Sequence, residues 1–270
     1  MRALLVVNPK ATTTTVRGRD VLVRALASEV KVEIEETSHR GHAAALAVRA
    51  AREGLDLVVA LGGDGTVNEV VNGLLTDGPR PGVPALAVVP GGSTNVFARA
   101  VGLPPHPFDA TGQILEALRA GRTSTIGLGQ VEDRWFTFNA GVGLDAEVVR
   151  RIERRRRAGD ETTHGRFVRA SLAHFFLSYD RRHPALTLER PGADPVDRIF
   201  FALVSNTAPW TYLGDRPVQP SPEAGFRTGL DLFAPRTMRT IPTLRYLRSA
   251  LAGRAPSAGR RLLRVHDMTE

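Results

Sequence analysis

The chain has 270 residues, of which 42% are hydrophobic, and this length suits one large domain or two ordinary ones. It contains no cysteine, which excludes disulfides, cysteine-ligated zinc and thiol nucleophiles. The formal net charge of +8 comes almost entirely from arginine, and such an excess suits a nucleic acid, an anionic membrane, a phosphorylated ligand or simply a solvated surface. No stretch approaches the ~20 apolar residues of a spanning helix, and the first ten residues do not form a signal peptide, so we expect a cytoplasmic protein.

The first 120 residues alternate short apolar runs with helical patterns. Strands are predicted at residues 3–7, 31–36, 55–61 and 85–89, and helices at 16–29, 41–53, 66–75, 94–101 and 107–120. Continuous apolar runs are typical of strands that are buried on both faces of a parallel sheet. We therefore predict an α/β domain with a parallel sheet for residues 1–122.

The pattern changes after residue 122. Short strands separated by proline and glycine turns are predicted within 123–143 and at 185–189, 198–206, 230–233 and 262–266, which indicates antiparallel β structure. Helical patterns occupy residues 145–158, 165–179 and 241–252. Residues 123–270 are thus predicted to form a β-rich, sandwich-like domain with helical insertions.

Two glycine-rich turns follow predicted buried strands and precede predicted helices. They read Gly62-Gly63-Asp64-Gly65 and Gly91-Gly92-Ser93-Thr94-Asn95. In open α/β sheets the carboxyl edge of the strands is where ligands bind, and the amides at a helix N-terminus favour an anion. Thr66 and Glu69 fit a capping box, and Ser93 is a candidate cap for the next helix. The alternative is two capped helices behind tight turns, without a ligand.

Asp64 is a single carboxylate among three glycines. Beside amides that hold phosphate, a carboxylate is useful if it binds a cation such as Mg²⁺ or accepts a proton from an attacking hydroxyl. Both roles belong to phosphoryl transfer, and the alternative is an Asx-turn aspartate that caps local amides. The sequence has neither the P-loop pattern G-x-x-x-x-G-K-[ST] nor the Rossmann pattern G-x-G-x-x-G.

The run GGDGTVNEVVNG at 62–73, followed by PGGSTNVFAR at 90–99, resembles the catalytic domain of diacylglycerol and sphingoid-base kinases, and most of all the soluble bacterial diacylglycerol kinases. GGDGT alone is shared with NAD kinases and, more loosely, with phosphofructokinases, so the second motif and the NEVVNG continuation favour the lipid branch. The resemblance implies an N-terminal nucleotide domain, a C-terminal β-rich lipid domain and a cleft between them. It also implies ATP and Mg²⁺ as cofactors.

Site residues follow from the same resemblance. Asp64 would be the catalytic or metal-linked carboxylate, Asp145 would belong to the Mg²⁺ network, and Glu147 would contact the lipid headgroup. The residues expected around ATP are Asn8, Lys10, Thr37, Gly62, Gly63, Gly65, Thr66, Ser93, Thr94 and Asn95. Val96 stands where many bacterial members carry an aspartate. The acidic motif that relatives present near their C-terminus is absent after residue 266, so we expect either that this chain lacks that end or that this member does without the motif.

The implied substrate lies in a bilayer. Arginines at positions 150–157, followed by the apolar helical pattern at 165–179, predict peripheral binding to an anionic membrane surface, although a solvated basic face over core phenylalanines is an alternative. Aromatic residues make up only 6% of the chain and no nucleic-acid motif is present, so nucleic acid is not an expected partner. A homodimer is left open.

The predicted function is transfer of the γ-phosphate of ATP to the free hydroxyl of diacylglycerol, which gives phosphatidate. The alternatives are another acceptor, such as a sphingoid base, a glycolipid or NAD, and a nucleotide- or lipid-binding relative without turnover.

Overall fold

The computed structural model describes residues 1–11, 16–143 and 183–269. Two compact units are formed, one by Met1–Ile126 with Gln130–Thr137 and the other by Gly127–Gly129 with Phe138–Glu270. The helices predicted at 145–158 and 165–179 lie outside the described residues. Within the described ranges, no helix is both long and apolar enough to cross a bilayer.

The first unit is built on a four-stranded parallel sheet, as predicted. Its strand order is β2-β1-β3-β4, with β1 (Arg2–Val7), β2 (Lys31–Glu36), β3 (Leu57–Gly62) and β4 (Ala85–Pro90). The two central strands are buried almost throughout, which explains their unbroken apolar sequences. Strand β2 lies at the edge and is partly exposed, and this explains its alternating, polar sequence.

Helices cover both faces of this sheet. They are α1 (Val16–Ala27), α2 (His42–Arg52), α3 (Asp64–Leu74), α4 (Val96–Ala100) and α5 (Pro107–Arg119). Leu22 of α1 and Ile114 of α5 share a core with the odd-numbered residues of β1 and β3. Because side chains alternate along a strand, the even-numbered residues face the other side, where α2 and α3 pack.

Helices α2 and α3 approach each other very closely. A Cβ atom on Gly73 would lie 2.3 Å from the carbonyl oxygen of Ala44 and 2.8 Å from the Cβ of Ala47. The glycine is therefore required by this helix–helix contact, and it fixes the position of the helix that begins at the first glycine turn.

The second unit contains a four-stranded antiparallel sheet in the order β14-β13-β10-β7. Its strands are β7 (Asn139–Gly143), β10 (Phe201–Ser205), β13 (Leu230–Pro235) and β14 (Leu262–Met268). The prediction of an antiparallel, β-rich C-terminal half is confirmed. Helix α6 (Thr240–Leu251) follows β13, close to its predicted range.

Short two-stranded sheets complete the described part of the chain. They pair β5 (Gly129–Val131) with β6 (Arg134–Phe136), β8 (Leu186–Arg190) with β9 (Ala193–Ile199), and β11 (Thr211–Leu213) with β12 (Arg216–Val218). The strand predicted at 198–206 is divided around Phe200, because the chain there leaves β8 and joins β13. Strands β11 and β12 were not predicted, since three residues are too few to show a period.

Candidate functional site

The two glycine turns lie against each other at the carboxyl edge of the parallel sheet. The amide of Gly91 donates to the carbonyl of Gly62 at 2.8 Å, which continues the ladder between β3 and β4. A Cβ atom on Gly92 would lie only 2.7 Å from the Cα of Gly63. The turns therefore touch through their backbones, an approach that side chains would prevent.

Four of the five glycines in these turns are explained by packing inside the protein. A Cβ on Gly62 would meet the side chain of Thr66 at 2.7 Å, and one on Gly91 would meet the Cα of Gly62 at 3.0 Å. Gly65 differs from them. Apart from its chain neighbours and the backbone of its own helix, no atom of the described residues lies within 4 Å of its Cβ position, and its φ is not in the left-handed region. Its open side leaves the backbone free for close approach by a ligand.

Asp64 caps a helix that starts 32 residues later in the chain. Its Oδ2 accepts a hydrogen bond from the amide of Val96 at 3.0 Å, and its Oδ1 accepts one from the amide of Phe97 at 2.9 Å. These amides begin helix α4, so the carboxylate lies at the positive end of that helix. The sequence offered the alternative that Asp64 caps local amides. It does cap amides, but these belong to the helix after the second turn and not to its own turn.

Burial raises the pKa of the Asp64 carboxyl above its usual value. This effect outweighs the hydrogen bonds from the amides of Phe97, Val96 and Asp64 itself, which lower the pKa. The residue keeps some exposed surface, although the carboxylate is largely enclosed by protein atoms. Each carboxylate oxygen has a second acceptor position, so Asp64 can still receive a proton or contact a cation while it caps α4.

Asn95 fixes the shape of the second turn. Its backbone is left-handed, with φ 49°, and its side chain binds Gly92 twice. The Asn95 Oδ1 accepts from the Gly92 amide at 2.8 Å, while its Nδ2 donates to the Gly92 carbonyl at 2.7 Å. Ser93, which is exposed, and Thr94, which is half-buried, lie within this clamp. The prediction that Ser93 caps α4 is wrong, because Asn95 occupies the N-cap position and Asp64 binds the first amides.

Asn8 links the end of β1 to the first turn of α3. Its amide donates to the carbonyl of Leu61 at 2.9 Å, and its Nδ2 donates to Thr66 Oγ1 at 3.0 Å. The capping box predicted for Thr66 and Glu69 is wrong, because helix α3 begins at Asp64 and its N-cap position, Gly63, has no side chain to form a cap. Thr66 is inside the first turn, where its hydroxyl accepts from Asn8.

The other predicted ligands of ATP lie along the same edge. The amide of Lys10 donates to Asn8 Oδ1 at 3.0 Å, and the lysine is exposed. Thr37 follows β2, and its amide donates to the carbonyl of Val7 at 2.8 Å. Asp145 and Glu147 lie outside the described residues, so their predicted roles stay predictions.

Asn72 was not predicted as a positioning residue. Its Oδ1 accepts from the amide of Trp135 at 2.9 Å, and its Nδ2 donates to the Trp135 carbonyl at 3.0 Å. The Asn72 side chain thus bonds both backbone groups of Trp135, as a neighbouring strand would, and connects β6 to the helix that begins with Asp64. The sequence could not indicate this pairing or the hydrogen bonds from the amides of Val96 and Phe97 to Asp64. In each case the partner is a backbone group, which is the same whatever the residue type.

The comparisons with known proteins agree with these motifs. Residues 2–131 match the family described as the diacylglycerol kinase catalytic domain. A diacylglycerol kinase of Bacillus subtilis (strain 168) is 37% identical over 159 residues, which cover 55% of this chain and 48% of the relative. A diacylglycerol kinase of Staphylococcus haemolyticus (strain JCSC1435) is 33% identical over 129 residues, covering 48% of this chain and 37% of the relative. The resemblance inferred from the sequence is thereby confirmed.

Solved structures show a likeness in fold over 98% of the chain. A diacylglycerol kinase structure from Bacillus anthracis str. Sterne superimposes with a TM-score of 0.71 at 21% identity, over 98% of this chain and 83% of that one. Another structure from the same organism gives a TM-score of 0.76 at 23% identity over the same shares. The sequence matches account for less than half of the length of the curated relatives.

Proposed function

We propose that this chain, whose residues 2–131 match the diacylglycerol kinase catalytic domain, is an ATP-dependent lipid kinase with diacylglycerol as the acceptor. Gly65 is the observation that carries the proposal. The other glycines of the two turns are needed for packing, whereas Gly65 leaves open space beside the N-terminal amides of α3. This is the arrangement that a phosphate group requires, because backbone amides and a helix N-terminus both favour an anion.

The two turns would divide the binding of the nucleotide. The Gly65 turn would hold phosphate through its amides, and the clamp of Asn95 on Gly92 would keep the second turn rigid beside it. Lys10 is exposed at the same edge and would reach phosphate with its ammonium group. Preorganised donors of this kind need no rearrangement when the nucleotide binds, and phosphoryl transfer depends mainly on such positioning.

In the proposed reaction the lipid hydroxyl attacks the γ-phosphorus. An oxygen–phosphorus bond forms, the bond to the bridging oxygen of ADP breaks, and the hydroxyl proton is transferred to Asp64 Oδ1 or Oδ2. The raised pKa of Asp64 supports this role, because a base is most useful when its pKa approaches the working pH. Bound Mg²⁺ would supply charge neutralisation at the phosphates, and its predicted ligand, Asp145, lies outside the described residues.

A lipid kinase must also meet its substrate at a membrane, and helix α6 offers a face that suits this. Ile241 is 66% exposed and Leu244 is 50% exposed, and Arg245 and Arg248 follow them on the same side of the helix. We propose that this face contacts an anionic bilayer, with the apolar pair inserted and the arginines on lipid headgroups. Leu244→Asp should reduce sedimentation with phosphatidylglycerol vesicles, whereas Val131→Asp, at another exposed apolar position, should not.

Transfer of labelled phosphate from ATP to diacylglycerol in mixed micelles tests the assignment directly. Sphingosine, a glycolipid and NAD serve as competing acceptors in parallel reactions. Phosphatidate as the main product supports the proposal. If another acceptor is preferred, that compound is the substrate in place of diacylglycerol. Asp64→Asn is the matched control for background transfer. If the wild type binds ATP but transfers phosphate to none of these acceptors, the chain is a nucleotide-binding protein without turnover.

A further inference from the structure

The second unit contains a buried carboxylate whose hydrogen bonding is incomplete. Asp231, on strand β13, is 1% exposed. Its Oδ1 accepts a bond from the amide of Asp267 at 3.2 Å and lies 2.7 Å from Nδ1 of His266. Its Oδ2 is enclosed and has no hydrogen-bond partner among the described residues. A buried carboxylate oxygen without a partner is unfavourable, and a bound cation would satisfy it.

Two more ligand groups lie beside this carboxylate. Glu223, Asp231 and His266 each offer one ligand atom, and these three atoms all lie within 4.8 Å of one another. Glu223 and His266 are exposed, so an ion can reach the cluster from solvent. Arg264 donates to Glu223 Oε2 at 2.6 Å, which restrains Glu223 and leaves its other carboxylate oxygen for a ligand.

The cluster exists because of an irregularity between strands β13 and β14. Their register shifts between Leu230 and Leu232, so that Asp231 faces both His266 and Asp267. Asp267 has a left-handed backbone, with φ 59°. A bulge of this kind turns side chains away from the regular alternation, and here it directs an imidazole and a carboxylate toward each other.

We propose that Glu223, Asp231 and His266 bind one divalent transition-metal ion, and that zinc suits them best. An imidazole with two carboxylates is a zinc-type ligand set, whereas Mg²⁺ and Ca²⁺ prefer oxygen ligands throughout. His266 would bind through Nδ1 with its proton on Nε2, in place of its present hydrogen bond to Asp231. The ion would satisfy the buried carboxylate and would join β13, β14 and the segment that carries Glu223.

The test is metal binding by the chelator-stripped full chain, measured by thermal unfolding and by elemental analysis after gel filtration. Zinc at about 100 times its Kd should raise Tm by about 5–10 °C, with one ion retained per chain, and Mg²⁺ should not reproduce this rise. His266→Ala should abolish the zinc-dependent rise and Glu223→Gln should reduce it. His106→Ala, which removes an exposed imidazole 3.9 Å from Asp109, is the matched control and should keep it.

Three results would overturn the proposal. They are no retained zinc in the wild-type chain, an equal rise in Tm with Mg²⁺, or an unchanged rise in His266→Ala. If His266→Ala does not fold, Glu223→Gln decides the matter, because this exposed residue can be replaced without opening the core. A full zinc response in that variant would then exclude the site.

Discussion

Substituting alanine at Gly65 separates a ligand-binding glycine from a packing glycine. The added methyl group would meet no atom of the described residues within 4 Å apart from its chain neighbours and its own helix backbone, and the backbone at Gly65 is not left-handed. Because Gly65 lies in the first turn of α3, alanine should leave stability unchanged or raise it by up to about 1 kcal/mol. The methyl group would, however, occupy the space in which phosphate approaches the amides.

We expect Gly65→Ala to weaken ATP binding by about 10- to 100-fold. The estimate corresponds to the loss of one amide–phosphate hydrogen bond, since bonds to charged groups contribute about 1.5–3 kcal/mol. Isothermal titration with ATP gives the affinity, and thermal unfolding of the same sample gives the stability. Gly112→Ala is the neutral control, because Gly112 is also helical and unobstructed but lies on α5, away from the turns.

Gly92→Ala provides the opposite control. Its methyl group would lie 2.7 Å from the Cα of Gly63, well inside van der Waals contact, so the two turns would have to separate. We expect a loss of about 1–3 kcal/mol in the free energy of unfolding together with weaker ATP binding. If Gly65→Ala binds ATP as tightly as the wild type while Tm is unchanged, the turn does not hold phosphate and the proposed function loses its main support.

Three further predictions concern the elements around the turns. Because the pKa of Asp64 is raised in the folded state, its stabilising contribution is present at low pH and is lost as pH rises from about 4 through the folded pKa. Over that range the free energy of unfolding of the wild type should fall relative to that of Asp64→Asn. The rate of phosphate transfer should instead rise as Asp64 ionises. If denaturant titrations show the same difference in stability between the two proteins at every pH, the prediction is contradicted. Asn72→Ala should lose about 1–3 kcal/mol of stability, because both backbone groups of Trp135 lose their partner, and urea unfolding measures it. Gly73→Ala should lower Tm strongly because its methyl group would collide with α2, whereas Gly112→Ala should raise Tm slightly. Equal changes in Tm of the two variants by calorimetry would show that the close contact between α2 and α3 is not needed.

Much of the fold was predictable because the signals are local. Continuous apolar runs identified β1, β3 and β4, and the alternating run at 31–36 identified β2 within its observed bounds. The order of these strands in the sheet could not be read from them, since each central strand is equally apolar. Strands β11 and β12 escaped prediction because they are too short to show a period.

The candidate site was predictable only in its residue types. Glycine turns with one carboxylate indicate phosphate chemistry, and the sequence alone placed them at strand ends. It could not show that Gly63 and Gly92 touch, or that Asp64 caps a helix begun by Val96, because both depend on how two distant turns meet. The capping box predicted for Thr66 and Glu69 and the cap predicted for Ser93 were wrong because the helices begin elsewhere: α3 has Gly63 at its N-cap position, and α4 has Asn95 there and receives its cap from Asp64.

Sequence by itself determined most of the strands and helices, and which residues could serve phosphate or a proton, because periodicity and residue chemistry are properties of neighbours along the chain. Tertiary structure alone decided which glycines are needed for packing, that Gly65 is free of such contacts, and which amides donate to Asp64. These are distances between segments some 30 residues apart, and they exist only once the parallel strands place their carboxyl ends side by side.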